Sequence, residues 1–228
     1  MTEFCLECSA VSVIRKGPGG EERALLCQID LALRPASCNL LLGPTGSGKS
    51  TLLQVLAGLQ RPSEGELRAF GEPVSRWTAG HRDLWRRRVG MAFQDPELFE
   101  ELTVEENIAA PLLPRAMSHA AKRQACQSIL ESLQISSLAA QAVSDISGGE
   151  RQRVALARAA VAEPEILLLD EPSAHQDAEH LELVLALIRG AAQRGACVVV
   201  ATHDPRVLEA LDLAQTLRLS GGRLEGSA

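Results

Sequence analysis

Residues 43–51 read GPTGSGKST, three glycines, a lysine and two terminal hydroxyls in the spacing G-x-x-x-x-G-K-[ST]. Gly43, Gly46 and Gly48 let the backbone curl until its N–H groups face an anion. Lys49 adds a point charge for the β and γ oxygens of a nucleotide, and Ser50 a hydroxyl for Mg²⁺. Pro44, Thr45, Ser47 and Thr51 complete the loop, which follows an apolar run and precedes the helix-forming LLQVLAGL, the context a phosphate loop requires. A second group of residues supplies acids. The run ILLLDEP ends in Asp170 and Glu171, so a strand delivers two carboxylates at its C-terminal edge, where open α/β sheets bind ligands. Asp170 suits the Mg²⁺ shell together with Ser50; Glu171 is placed to polarise an attacking water. His203 ends VVVATHD and is a candidate for the γ-phosphate, while Gln94 ends VGMAFQ and is a candidate for both metal and water. With Lys49, these are the residues of a phosphoanhydride hydrolysis.

A third group stands apart. Residues 145–160 read DISGGERQRVALARAA, a serine and two glycines opening a helix. Free backbone N–H groups and the positive end of the helix dipole make such an opening an anion seat. Ser147, Gly148, Gly149 and Glu150 therefore pose the question of why one chain carries two phosphate cradles. The arginines that follow are read as a solvated or interdomain face rather than a phosphate patch.

The elements that must hold these groups follow from the apolar pattern. Short β-type runs recur at 38–44, 89–94, 165–172 and 196–204, without polar alternation, as for strands buried on both faces. Helical segments between them predict a mainly parallel α/β core. The first 40 residues alternate around the turn-rich KGPGGEER and predict an antiparallel hairpin. Strand signals vanish between Gln94 and Pro164, where 119–134 and 149–162 carry helical periodicity. The expected organisation is one domain, 1–228, with a core lobe of about 1–94 and 165–228 and an inserted helical lobe of about 95–164.

Composition bounds the function. The 228 residues are 46% hydrophobic and 23% charged with a net charge of −6, a globular composition whose acidic balance argues against a nucleic-acid partner. Six scattered cysteines read as reduced thiols, and Cys5 and Cys8 lack a second ligand pair at zinc spacing. No apolar run reaches membrane-spanning length and the N-terminus does not read as a signal peptide, so a cytoplasmic protein is expected. The cluster Arg86–Arg87–Arg88 reads as a solvated helix face.

In that order, GPTGSGKST, FQDPELF, DISGGERQRVALARA, ILLLDEP and ATHD resemble the ATP-binding subunit of ATP-binding-cassette transporters, over about residues 4–224. The resemblance implies the phosphate-loop NTPase fold, ATP and Mg²⁺ as cofactors, and a Mg²⁺-dependent ATPase. It also implies an answer to the two cradles: paired cassettes face head to tail, so Ser147, Gly148, Gly149 and Glu150 would close over ATP held by a neighbour's phosphate loop. The implied partners are a second ATPase subunit, identical or not, and integral membrane permease subunits. The implied location is peripheral, on the cytoplasmic face of the inner membrane. ELTVEENIAAPLLPR is similar to the small cassettes of lipoprotein release, macrolide export and cell-division signalling; FQDPE is similar to vitamin and metal-ion importers. Alternatives are a non-transport ATPase of the same family, an ATP-dependent signalling unit on a membrane partner, and a small-molecule kinase.

The chain departs from that pattern in three places. The family commonly stacks adenine on an aromatic of the N-terminal hairpin; this chain has no tyrosine, and Ile14 or Arg15 falls there, Arg15 being able to stack through its planar guanidinium. After Glu171 the family commonly has a small residue, then serine, alanine, leucine and aspartate. Here SAHQD puts Ala174 and His175 in place of serine and alanine and keeps Asp177. Glu150 replaces the usual glutamine, a change expected to be tolerated.

Overall fold

The computed structural model describes residues 3–17, 20–74, 78–211 and 215–225. Strands β1 (Leu6–Lys16) and β2 (Glu22–Leu33) form the antiparallel hairpin, paired from Leu6 opposite Leu33 to Lys16 opposite Glu22 with register shifts between Cys8 and Ile14. Of the turn, Pro18 and Gly19 lie outside the described residues. β4 (Glu64–Ala69) pairs with the other side of β1, and β5 (Glu72–Pro73) with β4. The sequence reading missed both. In EGELRA only Leu67 and Ala69 are apolar, and only they show the alternation of a half-buried strand, at 1% and 2% exposure.

The second sheet has six strands, ordered β10 (Arg223–Glu225), β9 (Gln215–Ser220), β3 (Ser37–Leu42), β8 (Cys197–Ala201), β7 (Ile166–Asp170) and β6 (Val89–Ala92). All its pairings are parallel except β9 with β10. Alternate side chains explain the uninterrupted apolar runs. Leu41, Leu168 and Val199 face the hairpin sheet and helix α1 (Lys49–Leu56). Leu40, Leu42, Leu167, Leu169, Val198 and Val200 face helices on the other side. Both faces are dry, as parallel sheets require.

Helix α2 (Ala79–Arg86) precedes β6. Between β6 and β7 come only helices: α3 (Val104–Ala109), α4 (His119–Ser132) and α5 (Gly148–Ala160), with short 3₁₀ turns. Their starts are written in the sequence. Thr103 with Glu106 and Ser147 with Glu150 form reciprocal capping boxes, and Ser118 caps α4. Helices α6 (Ala178–Gln193) and α7 (Pro205–Ala210) follow β7 and β8. The basic cluster is not simply solvated. Arg88 lies 4.0 Å from the Phe70 ring centroid and grips Glu165 through two 2.6 Å bonds, while Arg86 pairs with Asp83.

Parallel register brings the reactive loops together. Leu41 and Asp170 both stand opposite Ala201, and Ala92 stands opposite Leu169. The residues after β3, β6, β7 and β8 therefore emerge at one edge of the sheet, where the candidate chemistry is concentrated.

Candidate active site

The loop after β3 turns directly into α1. Gly48 sits at φ 107°, and a Cβ there would lie 2.7 Å from the Leu25 carbonyl oxygen, so glycine is required twice over. No side chain caps α1 and its first turn has no acid. Its free N–H groups and positive dipole end are left for an anion. Lys49 Nζ donates to the carbonyls of Gly43 at 2.7 Å and Pro44 at 3.4 Å, held within the loop whose charge it supplies. Leu52, Leu53, Val55 and Leu56 are fully buried and anchor the helix against the hairpin sheet.

Asp170 ends β7 at 3% exposure. Burial raises its carboxyl pKa, and a hydrogen bond from the Ser50 hydroxyl opposes the shift. At Glu171 the chain enters the left-handed region, φ 48°, and its amide donates to the Ala201 carbonyl at 2.8 Å. A non-glycine residue held there is strained, as happens where a functional group must be aimed. Its carboxylate lies 2.7 Å from Nδ1 of His203, accepts the His203 backbone N–H at 3.3 Å, and lies 3.8 Å from Lys49 Nζ. The glutamate is 6% exposed, whereas 71% of the His203 side chain is open to solvent. The acid is buried and aimed; the imidazole is accessible to an incoming anion.

Arg15, Thr45, Gly46, Gly48, Lys49, Ser50, Thr51, Gln94, Asp170, Glu171 and His203 line a single cavity of about 420 Å³. That is ample for a nucleotide. Gly43, Pro44 and Ser47 do not line it. They shape the loop, the first two as acceptors for Lys49 and Ser47 by accepting the Gly222 amide at 3.2 Å. The structure adds Arg23, Ala24, Leu25, Gly221 and Gly222 to the lining. Strand pairing, with Arg15 opposite Arg23, brings the first three to the cavity, and the Gly-Gly turn between β9 and β10 reaches it through folding alone. A larger groove of about 690 Å³ runs between α4 and α6 past Ile129 and Leu187. It touches neither the phosphate loop nor the acid pair, so the chemistry belongs to the smaller cavity.

Ser147, Gly148, Gly149 and Glu150 are not among the residues lining that cavity. Ser147 caps α5: its backbone amide and hydroxyl donate to Glu150 Oε2 at 2.7 and 2.6 Å, and its hydroxyl accepts the Glu150 amide at 3.4 Å. These bonds hold the Glu150 carboxyl below its usual pKa. Nothing lies within 4 Å of a Cβ built on Gly148, so the space beside that glycine is open. Gly149 is the reverse: a Cβ there would meet the His175 carbonyl oxygen at 2.9 Å. The buried Gln176 amide explains that approach, donating to the Gly149 carbonyl at 3.0 Å and accepting from Arg153 at 3.2 Å. Gln176 occupies the leucine position of the SAHQD segment. The arginines after the glycines tie elements together. Arg151 binds Glu100 and the Val143 carbonyl, and Arg158 donates to the Glu97 carbonyl and covers the Phe99 ring.

Residues 26–174 match the sequence model described as ABC transporter. The chain is 34% identical to the lipoprotein-releasing system ATP-binding protein LolD of Chromohalobacter salexigens, over 99% of this chain and 95% of that one. It is 38% identical to an uncharacterised ABC transporter ATP-binding protein of Mycobacterium tuberculosis over 88% of its own length, and spans 61% of that longer relative. Among solved structures it is similar to the ATP-binding cassette MJ0796, a dimer in a post-hydrolysis state bound to ADP and Pi. The TM-score is 0.90, with 30% identity and 96% of each chain covered.

Proposed function

The chain belongs to the ABC transporter family as an ATP-binding, ATP-hydrolysing subunit that dimerises, and we propose the following division of labour among its residues. The loop 43–51 seats the phosphates of one ATP, with Lys49 on the β and γ oxygens. Glu171 polarises the attacking water. His203 and Gln94 meet the γ-phosphate end, and Arg15 the base. Ser147, Gly148, Gly149 and Glu150 form the half-site that closes over the partner subunit's ATP. One observation carries this reading: Ser147, Gly148, Gly149 and Glu150 open α5 outside the cavity that holds the phosphate loop, with open space beside Gly148. A γ-phosphate bound at Lys49 completes its shell only when another chain brings its own α5 opening to it.

The donor set suits Mg²⁺. The Ser50 hydroxyl, the Asp170 carboxylate and the Gln94 side chain line the same cavity, all oxygen donors for a hard cation. These residues would hold it, and when bound it neutralises charge developing on the phosphates. The chain's own contribution is to keep Asp170 and Glu171 adjacent yet differently employed, one beside Ser50 and the other beside His203.

Segment 95–164 is proposed to act as one helical lobe of a single domain, reporting the state of Gln94 to membrane permease subunits. Among the described residues no helix is long and apolar enough to cross a membrane. Attachment to the cytoplasmic face through those permeases is the proposed location. Size-exclusion chromatography with light scattering on Glu171→Gln tests the pairing. Mg-ATP should convert monomer to dimer and ADP should not; a monomer under both conditions overturns the shared site. Capture from detergent-solubilised membranes with the ATP-trapped variant should then recover an integral membrane protein in stoichiometric amount. Recovery of soluble partners alone would favour the non-transport reading.

A further inference from the structure

Strands β1 and β2 contribute Arg15, Arg23, Ala24 and Leu25 to the cavity that also contains Glu171 and His203. Leu25 abuts the phosphate loop at Gly48. Arg23 follows two residues along β2, past a register shift that leaves Leu25 without a partner in β1, and Arg15 faces it directly across the hairpin; both arginines line the cavity. A nucleoside whose phosphates sit in the loop shares the cavity with this pair. Like charges opposed across two strands destabilise the hairpin. Yet among the described residues neither guanidinium has an ion-pair partner, although Lys16 and Glu22 in the next position do pair, at 3.4 Å. Both arginines are exposed and line the cavity, so their guanidinium groups are available to a ligand there.

Resting on the ATP-site reading above, we propose that Arg15 and Arg23 form the base seat, one guanidinium stacked on the purine face and the other on its edge, and that this seat takes guanine at least as well as adenine, making GTP a second substrate. Guanidinium groups stack on aromatic faces and are donors only. Guanine offers them two acceptors, O6 and N7, which one arginine grips in a bidentate contact; adenine offers N7 alone beside an N6 amino donor. Among the described residues β1 and β2 otherwise bring only Ala24 and Leu25 to the cavity, whose side chains cannot accept from that amino group. No aromatic among the described residues lines the cavity to favour either base.

Titration calorimetry of the full chain with Mg-ADP and with Mg-GDP tests this, using wild type, Arg15→Ala, Arg23→Ala, the double variant and Lys49→Ala. Wild type should bind GDP as tightly as ADP, or more tightly. Alanine at the edge-reading arginine should shift the ratio toward ADP by about fivefold or more, the lower end for a bidentate base contact. The double variant should lose affinity for both, with an unchanged Tm. ADP bound about tenfold more tightly than GDP by wild type, or an unaltered ratio in the double variant, overturns the base seat while leaving the phosphate site standing. Failure of wild type to bind either nucleotide, or Lys49→Ala binding both as wild type does, overturns the phosphate-site reading and the base seat with it.

Discussion

Nδ1 of His203 lies 2.7 Å from Oε1 of Glu171, while the same histidine's backbone N–H donates to Oε2 at 3.3 Å. Both oxygens of the buried carboxylate are thus fixed by one residue of the neighbouring strand end. A general base in the role proposed for Glu171 contributes about 10²–10⁴-fold to rate. Glu171→Gln should lower single-turnover ATP hydrolysis by about that factor and leave the ATP Kd within a few-fold. Wild-type turnover in that variant would remove Glu171 from the role.

Gln176 joins the segment after the acids to the opening of α5, and its amide is buried. Gln176→Ala leaves the Gly149 carbonyl and the Arg153 guanidinium without that partner, and an unsatisfied buried polar group costs about 1–3 kcal/mol. Urea unfolding should show a loss in that range. Gln176→Leu, with the side chain the family commonly carries there, should lose the hydrogen bonds but keep the packing, and so fall between alanine and wild type. Equal stability of all three would mean that these bonds carry nothing.

The pH dependence of stability should report on Glu150. Hydrogen bonds from Ser147 lower its folded pKa. The capping box therefore stabilises fully above the ordinary carboxylate pKa, and its contribution disappears as pH falls through the lowered value. Glu150→Gln keeps an acceptor for Ser147 but cannot titrate, so its unfolding free energy should fall less steeply below the carboxylate range. Identical acid slopes for the two proteins would rule this out.

Asn107 is fully buried and pins the start of the helical insertion. Its Oδ1 accepts the Phe99 N–H at 2.8 Å, and its Nδ2 donates to the Phe99 and Thr103 carbonyls at 3.0 Å each. Asn107→Ala should destabilise by about 2–4 kcal/mol, the range for deleted buried side chains that leave unpaired backbone groups. Amide exchange should accelerate first at Phe99 and its neighbours. A change confined to other segments would assign Asn107 a different role.

The core was legible because its strands are buried on both faces. A run such as Ile166–Leu169 has no other soluble explanation, and the residues following such strands had to meet at one edge. The hairpin was legible by alternation, and α4 and α5 by periodicity and caps. What escaped was short or set by partners distant in sequence. β4 and β5 carry too few apolar positions to signal strands, and β9 and β10 together contain only three leucines, two of them half-buried. In the site, the loop, acid and histidine motifs gave their residues directly, because each lies at the end of an apolar run. Arg23 and the Gly221–Gly222 turn enter only through folding, since strand pairing brings them to the cavity. In SAHQD the sequence pointed to Ala174 and His175, whereas the bond of Gln176 to Gly149 was visible only once α5 and the segment after β7 were packed together.

Because the opening of α5 lies outside the chain's own cavity, a lesion in either half need not be private to the molecule that carries it. A subunit with Lys49→Ala and another with a bulky residue at Ser147 are each inactive as homodimers on the proposed arrangement. Mixed, they form one composite site that contains neither defect. Two dead alleles supplied together should restore up to about half of a normal dimer's turnover in each mixed pair. Genetic complementation thus becomes a direct reading of which molecule owns each half of the catalytic centre.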